Sequence, residues 1–155
     1  MNRKTIFGLS LLLIAIFAIG SVSAFDLDSI LGGGDENETV TIDGIDFNIP
    51  AGFTEDPNHE TVNESNEQGG ITYSTNGKLY ENGNTIVNIL VADYGEYKVT
   101  DEIAASVGGD AKTLNNVSGY LSQNGQFYVF NYAKNDKLVV LSANDEDIIS
   151  EFIIG

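Results

Sequence analysis

The chain predicts an α+β fold, a meandering antiparallel sheet of about six to eight strands with two short helices on one face. Short runs of alternating or β-branched apolar residues recur along it, separated by Asp-Gly, Asn-Gly and Asn-Asn pairs that favour tight turns. Only two stretches carry helix signals, each an acidic first turn behind a capping residue. One interrupts the strands and the other follows them.

The elements follow in order. Val40 and Ile42, then Ile45, Phe47 and Ile49, alternate with polar residues on either side of Asp43-Gly44, which predicts a hairpin because both turn positions need positive φ. Pro50 ends its second strand, and Phe53 returns toward the core. Residues 54–70 are polar and irregular and read as the longest loop. A second antiparallel set is expected over 71–75, 78–80 and 85–92, with turns at Asn76-Gly77 and Asn82-Gly83. Thr100 reads as the N-cap of a helix over 101–107, with Asp101 and Glu102 in the first turn and Gly108 past the end. Strands are then expected near 111–114, 119–122, 126–133 and 137–143, joined at Asn115-Asn116, Asn124-Gly125 and Asn135-Asp136. Asn144 reads as the cap of a final helix whose Ile148, Ile149, Phe152 and Ile153 share one face.

Three strands are apolar on both sides. Phe127 and Val129 oppose Tyr128, Phe130 and Tyr132; Val87, Ile89 and Val91 oppose Ile86 and Leu90; Leu138 and Val140 oppose Val139 and Leu141. Two short helices cover only one side of such a sheet. The other must be covered by the 54–70 loop, by the first hairpin or by something outside the chain. Tyr128, Phe130 and Tyr132 are therefore the candidate partner face, tyrosine being suited to half-wet contacts.

The N-terminus is an address. Arg3 and Lys4 precede an uncharged, mostly apolar run that ends in Ser21-Val22-Ser23-Ala24, the pattern of a signal peptide over 1–24. About 20 uncharged residues also suffice to span a bilayer, so a retained N-terminal anchor is the alternative. Either way the remainder is exported, to the cell surface or beyond, and contact with a membrane is expected only if the segment is retained. An acidic, glycine-rich tether follows over 25–38, and a single domain occupies 39–155. Loss of Arg3 and Lys4 takes the formal charge from −16 to −18. With five lysines left and no basic cluster, nucleic acid is excluded as a partner.

The span from Val40 to Phe53, the strand at Ile86 to Val91, Thr100-Asp101-Glu102-Ile103, Ser118-Gly119-Tyr120-Leu121, Phe127-Tyr128-Val129-Phe130 and the acidic-capped last helix together resemble small exported proteins of methanogenic archaea. In outline they are also similar to the PsbP/Mog1-like α+β sandwich, a fold used by exported accessory and binding proteins. The resemblance implies a place and a shape, and it carries no catalytic residues with it.

Little catalytic chemistry is available. No cysteine is present and His59 is the only histidine, so structural zinc and thiol catalysis are excluded, and His59 reads as a solvated loop residue beside Glu55, Asp56 and Glu60. Nothing in the spacing of the acids selects a catalytic pair. The clusters at 35–38 and 144–147 lack the acid spacing and glycine of a calcium loop. Asn37, Asn63 and Asn116 begin Asn-x-Ser/Thr sequons and are candidate N-glycosylation sites. The sequence thus predicts a secreted or cell-surface accessory domain without catalytic activity or cofactor, binding a protein or cell-wall component. The alternatives are an exported carboxylate-dependent hydrolase and a structural envelope protein without a discrete ligand.

Overall fold

The computed structural model describes residues 4–5 and 36–155. The rest of the expected signal segment, and the tether up to Asp35, lie outside the described residues. Among those described, no helix is long and apolar enough to cross a membrane. The first elements are β1 (Lys4–Thr5), β2 (Glu38–Ile42), β3 (Ile45–Ile49), β4 (Thr54–Gln68), β5 (Ile71–Asn82), β6 (Thr85–Asp93) and β7 (Tyr97–Lys98). They are followed by α1 (Asp101–Ser106), β8 (Asp110–Leu114), β9 (Val117–Asn124), β10 (Phe127–Lys134), β11 (Lys137–Ala143) and α2 (Glu146–Phe152).

Most of the molecule is antiparallel sheet. Seven strands run in the order β4-β5-β6-β11-β10-β9-β8, β2 and β3 form a separate hairpin, and β1 pairs in parallel with β7. The tight turns form where paired residues tolerate left-handed backbone. Asp43 and Gly44 sit at φ +48° and +80°, Asn115 and Asn116 at +44° and +65°, and Asn135 and Asp136 at +52° and +64°. Lys137 Nζ then ties the Asp43 turn to the sheet, reaching Asp43 O at 2.6 Å and Asp43 Oδ1 at 3.0 Å. A β-branched side chain at Gly44 would be strained at that φ. Gly44→Val should therefore cost about 1–3 kcal/mol, whereas Asp110→Asn, exposed at a strand end, should change stability little. Equal melting temperatures for the two variants would remove the turn from this account.

The helices lie on opposite faces, which corrects the expectation that they share one. On the first face Val87, Ile89, Val91, Phe130, Tyr132, Val139 and Leu141 pack against Ile45, Phe47 and Ile49 of the hairpin, Phe53, and Ile149 and Phe152 of α2. Phe53 and Phe152 meet edge to face at 5.0 Å. On the second face Leu90, Ala92, Leu138 and Val140 pack against Tyr94, Val99, Ile103 and Ala104, so α1 and the chain leading into it form that cover. Strands apolar on both sides are thus matched by cover on both sides.

Three further expectations are corrected. Residues 54–68 form strand β4 and are not a loop; it is an edge strand, so its side chains need not be apolar, and its acids discourage edge-to-edge association. Asn76-Gly77 lies inside β5, because β5 pairs with β6 without interruption from Ser74 to Asn82. The cap of α2 is Asp145, whose carboxylate accepts from Asp147 N at 3.0 Å. Asn144 bridges strands, accepting from Ile86 N at 2.9 Å and donating to Asn84 O at 2.6 Å.

Candidate functional site

Where the β2–β3 hairpin docks against the end of α2 and the β8–β9 turn, an open cleft of about 590 Å³ forms. An antiparallel bridge between Phe47 and Ile153 brings these parts together. Asn37, Asn48, Asn115, Ser150, Glu151 and Ile153 are among its lining residues. Each asparagine is anchored at one end of its amide by main chain. Asn48 Nδ2 donates to Glu151 O at 2.7 Å, Asn115 Nδ2 donates to Ile153 O at 2.6 Å, and Asn37 Oδ1 accepts from Ala51 N at 2.9 Å. That anchoring orients the side chains and leaves two amide oxygens and one amide NH₂ for a ligand. The arrangement can hold groups that both donate and accept hydrogen bonds, which is the chemistry of hydroxyls.

A second constellation sits at the β4–β5 edge. The pairing of these strands shifts register between Asp56 and Thr61, so residues 57–60 bulge from the ladder. Within the bulge His59 Nδ1 donates to Asp56 Oδ2 at 2.7 Å, a carboxylate being able only to accept, and Asn58 N donates to Asp56 Oδ1 at 2.9 Å. Burial alone would push the Asp56 carboxyl up; these bonds outweigh it and hold the group below the usual aspartate range. Glu81, on the same face of the ribbon, is 3% exposed, and neither carboxylate oxygen has a hydrogen-bond partner. Burial, and then repulsion from Asp56, push it up, and His59 offsets this in part. Lys78 lies on the other face, paired with Glu55 at 2.8 Å and Glu60 at 3.3 Å. The contrast between Glu81 and Asp56 suits proton chemistry, but Glu81 is shut from a substrate.

The residues singled out from sequence fall in different places. Phe130 and Tyr132 are inside the core at 0% and 1% exposure, their rings 5.6 Å apart, so they present no open face. The first hairpin and α2 cover them. Tyr128 is half-buried against the same cluster and lines a second opening, of about 480 Å³, with Asn84, Thr85 and Asp145. Asn37 lies in the Asn-lined cleft, Asn116 adjoins Asn115 at its rim, and Asn63 is exposed on β4 at φ +45°. Among the described residues no three acidic or histidine side chains converge to hold a metal ion. Asn48 and Glu81 carried no signal in the sequence and Asn115 only that of a turn, because each acquires its setting from a segment distant along the chain. Compared with family models, curated proteins and solved structures, the chain matches none of them.

Proposed function

We propose that this is a secreted or surface-held accessory domain, of PsbP/Mog1-like outline and without catalytic activity, that binds a neutral polyhydroxylated component of the cell envelope. The observation that carries this reading is the cleft with three anchored asparagines, which offers fixed amide donors and acceptors at low entropic cost. The charge of the chain, −16, and Glu151 at the cleft disfavour an anionic ligand. Binding is preferred to carboxylate hydrolysis because Glu81, the carboxyl pushed upward, is only 3% exposed. Export rests on the N-terminal pattern of charge, apolar run and small residues.

The test is an NMR titration of the protein with neutral hexose and N-acetylhexosamine oligosaccharides. Shift changes should centre on Asn37, Asn48, Asn115 and Ser150. Asn48→Ala should weaken binding by about tenfold, the loss of roughly one hydrogen-bonding group, with the fold intact. Shifts that leave these residues unmoved, or unchanged affinity in Asn48→Ala, would overturn the proposal.

A further inference from the structure

Building on the reading of the cleft as a site for neutral hydroxylated groups, we propose that Asn37 carries an N-linked glycan whose first sugars fold back into that cleft and close it to an external ligand. Asn37 belongs to two patterns at once. Asn37-Glu38-Thr39 is an attachment sequon, and the same asparagine lines the cleft together with Asn48 and Asn115. Its amide is oriented for both. Oδ1 accepts from Ala51 N at 2.9 Å, while among the described residues nothing accepts from Nδ2, the nitrogen on which such a glycan is carried. Asn37 directly precedes β2, and Asn37, Glu38 and Thr39 are all exposed, so a bulky substituent meets solvent and cleft and displaces no core side chain.

The attachment is made by a transferase acting on the exported chain, from an oligosaccharide carried on a lipid diphosphate. Nδ2 forms a bond to the anomeric carbon, the bond from that carbon to the diphosphate oxygen breaks and its electron pair leaves with the lipid diphosphate, and one amide proton passes to a base of the transferase. Oδ1 takes no part in the product bond, so its hydrogen bond to Ala51 N survives and fixes where the glycan begins. The cleft then supplies the partners. Asn48 Nδ2 and Asn115 Nδ2 donate to Glu151 O at 2.7 Å and Ile153 O at 2.6 Å, which leaves both amide oxygens to accept from sugar hydroxyls. At about 590 Å³ the opening falls within the range of small-ligand sites. A sugar joined directly to the wall of the cleft has an effective concentration on the order of millimolar or above, so a free saccharide must compete with it. The other two sequons are placed differently. Asn63 lies on β4, outside the elements that form the cleft, and Asn116 belongs to the β8–β9 turn at its rim.

The test compares the protein purified from its native cells with Thr39→Val, which removes the hydroxyl the sequon requires but keeps Asn37 and a strand-forming side chain on exposed β2. Mass spectrometry of the peptide containing Asn37 should find hexose or N-acetylhexosamine on the wild type and a bare asparagine in the variant. In NMR spectra the Asn48 and Asn115 side-chain amides should differ between the two proteins, and adding a free N-acetylhexosamine disaccharide to Thr39→Val should move them toward their wild-type positions. The disaccharide should bind Thr39→Val about tenfold more tightly than the wild type, whereas Ser118→Ala and Ser65→Ala, which remove the other two sequons, should bind like the wild type. A bare Asn37 in the native protein, a modified Asn37 with the Asn48 and Asn115 signals unmoved, or relief of competition by Ser118→Ala in place of Thr39→Val would each overturn the proposal. A Thr39→Val protein that ignores the disaccharide would instead overturn the envelope-ligand reading, and the wild-type Asn48 and Asn115 signals would still decide where the glycan sits.

Discussion

Tyr132→Ala should lower the stability of the domain by about 3–5 kcal/mol, the range for truncating a fully buried aromatic side chain. Tyr132 is 1% exposed in the middle of β10, tilted against Phe130 at 5.6 Å, within the cluster that joins the sheet to the β2–β3 hairpin and α2. Removing the ring takes away both its own burial and part of the surface on which hairpin and helix rest. Chemical denaturation read by circular dichroism measures the loss, and Tyr128→Ala supplies the contrast, since Tyr128 is only half-buried. The pair separates two roles for this strand. A face kept for a partner would leave the isolated domain nearly as stable after Tyr132→Ala, and a change below about 1 kcal/mol would contradict the packing described here.

Gly119→Val should cost about 3 kcal/mol, through crowding where the previous variant acts through a void. Gly119 is buried in β9. A Cβ there would come within 2.5 Å of the Asn131 carbonyl oxygen and 2.6 Å of Phe130 Cζ. The first obstacle is main chain and cannot rotate away, so β9 and β10 would have to part. Gly119→Ala should already lower the denaturation midpoint, and the valine variant should lower it further. An unchanged midpoint in both would show that the strands approach less closely than this geometry requires.

How far the sequence could be read depended on whether a signal was local. The β2–β3 hairpin was legible because Asp43-Gly44 sets the turn and Ile45, Phe47 and Ile49 set the inward face, all within a dozen residues. The Asn115-Asn116 and Asn135-Asp136 turns were legible for the same reason, and so was the two-sided apolar pattern of β6, β10 and β11. Strand β4 was not. An edge strand is held by main-chain bonds to β5, and those bonds leave no mark in the polar run from Thr54 to Gln68. Asn76-Gly77 misled in the opposite sense, since a turn-forming pair was kept extended by the long pairing of β5 with β6.

The candidate sites belong wholly to the tertiary level. Asn37, Asn48 and Asn115 meet only because the hairpin docks on α2 through Phe47 and Ile153, and no spacing along the chain encodes that meeting. Glu81 resembles any other acid of this acidic chain until the fold sets it between β4 and β6 with its carboxylate buried. Turn chemistry and the period-two alternation of apolar residues are properties of neighbouring residues, so they told strand from turn and inside from outside. Which elements cover which face, and which polar groups are thereby desolvated, depends on the packing of residues far apart in the chain, so only the folded molecule decided them.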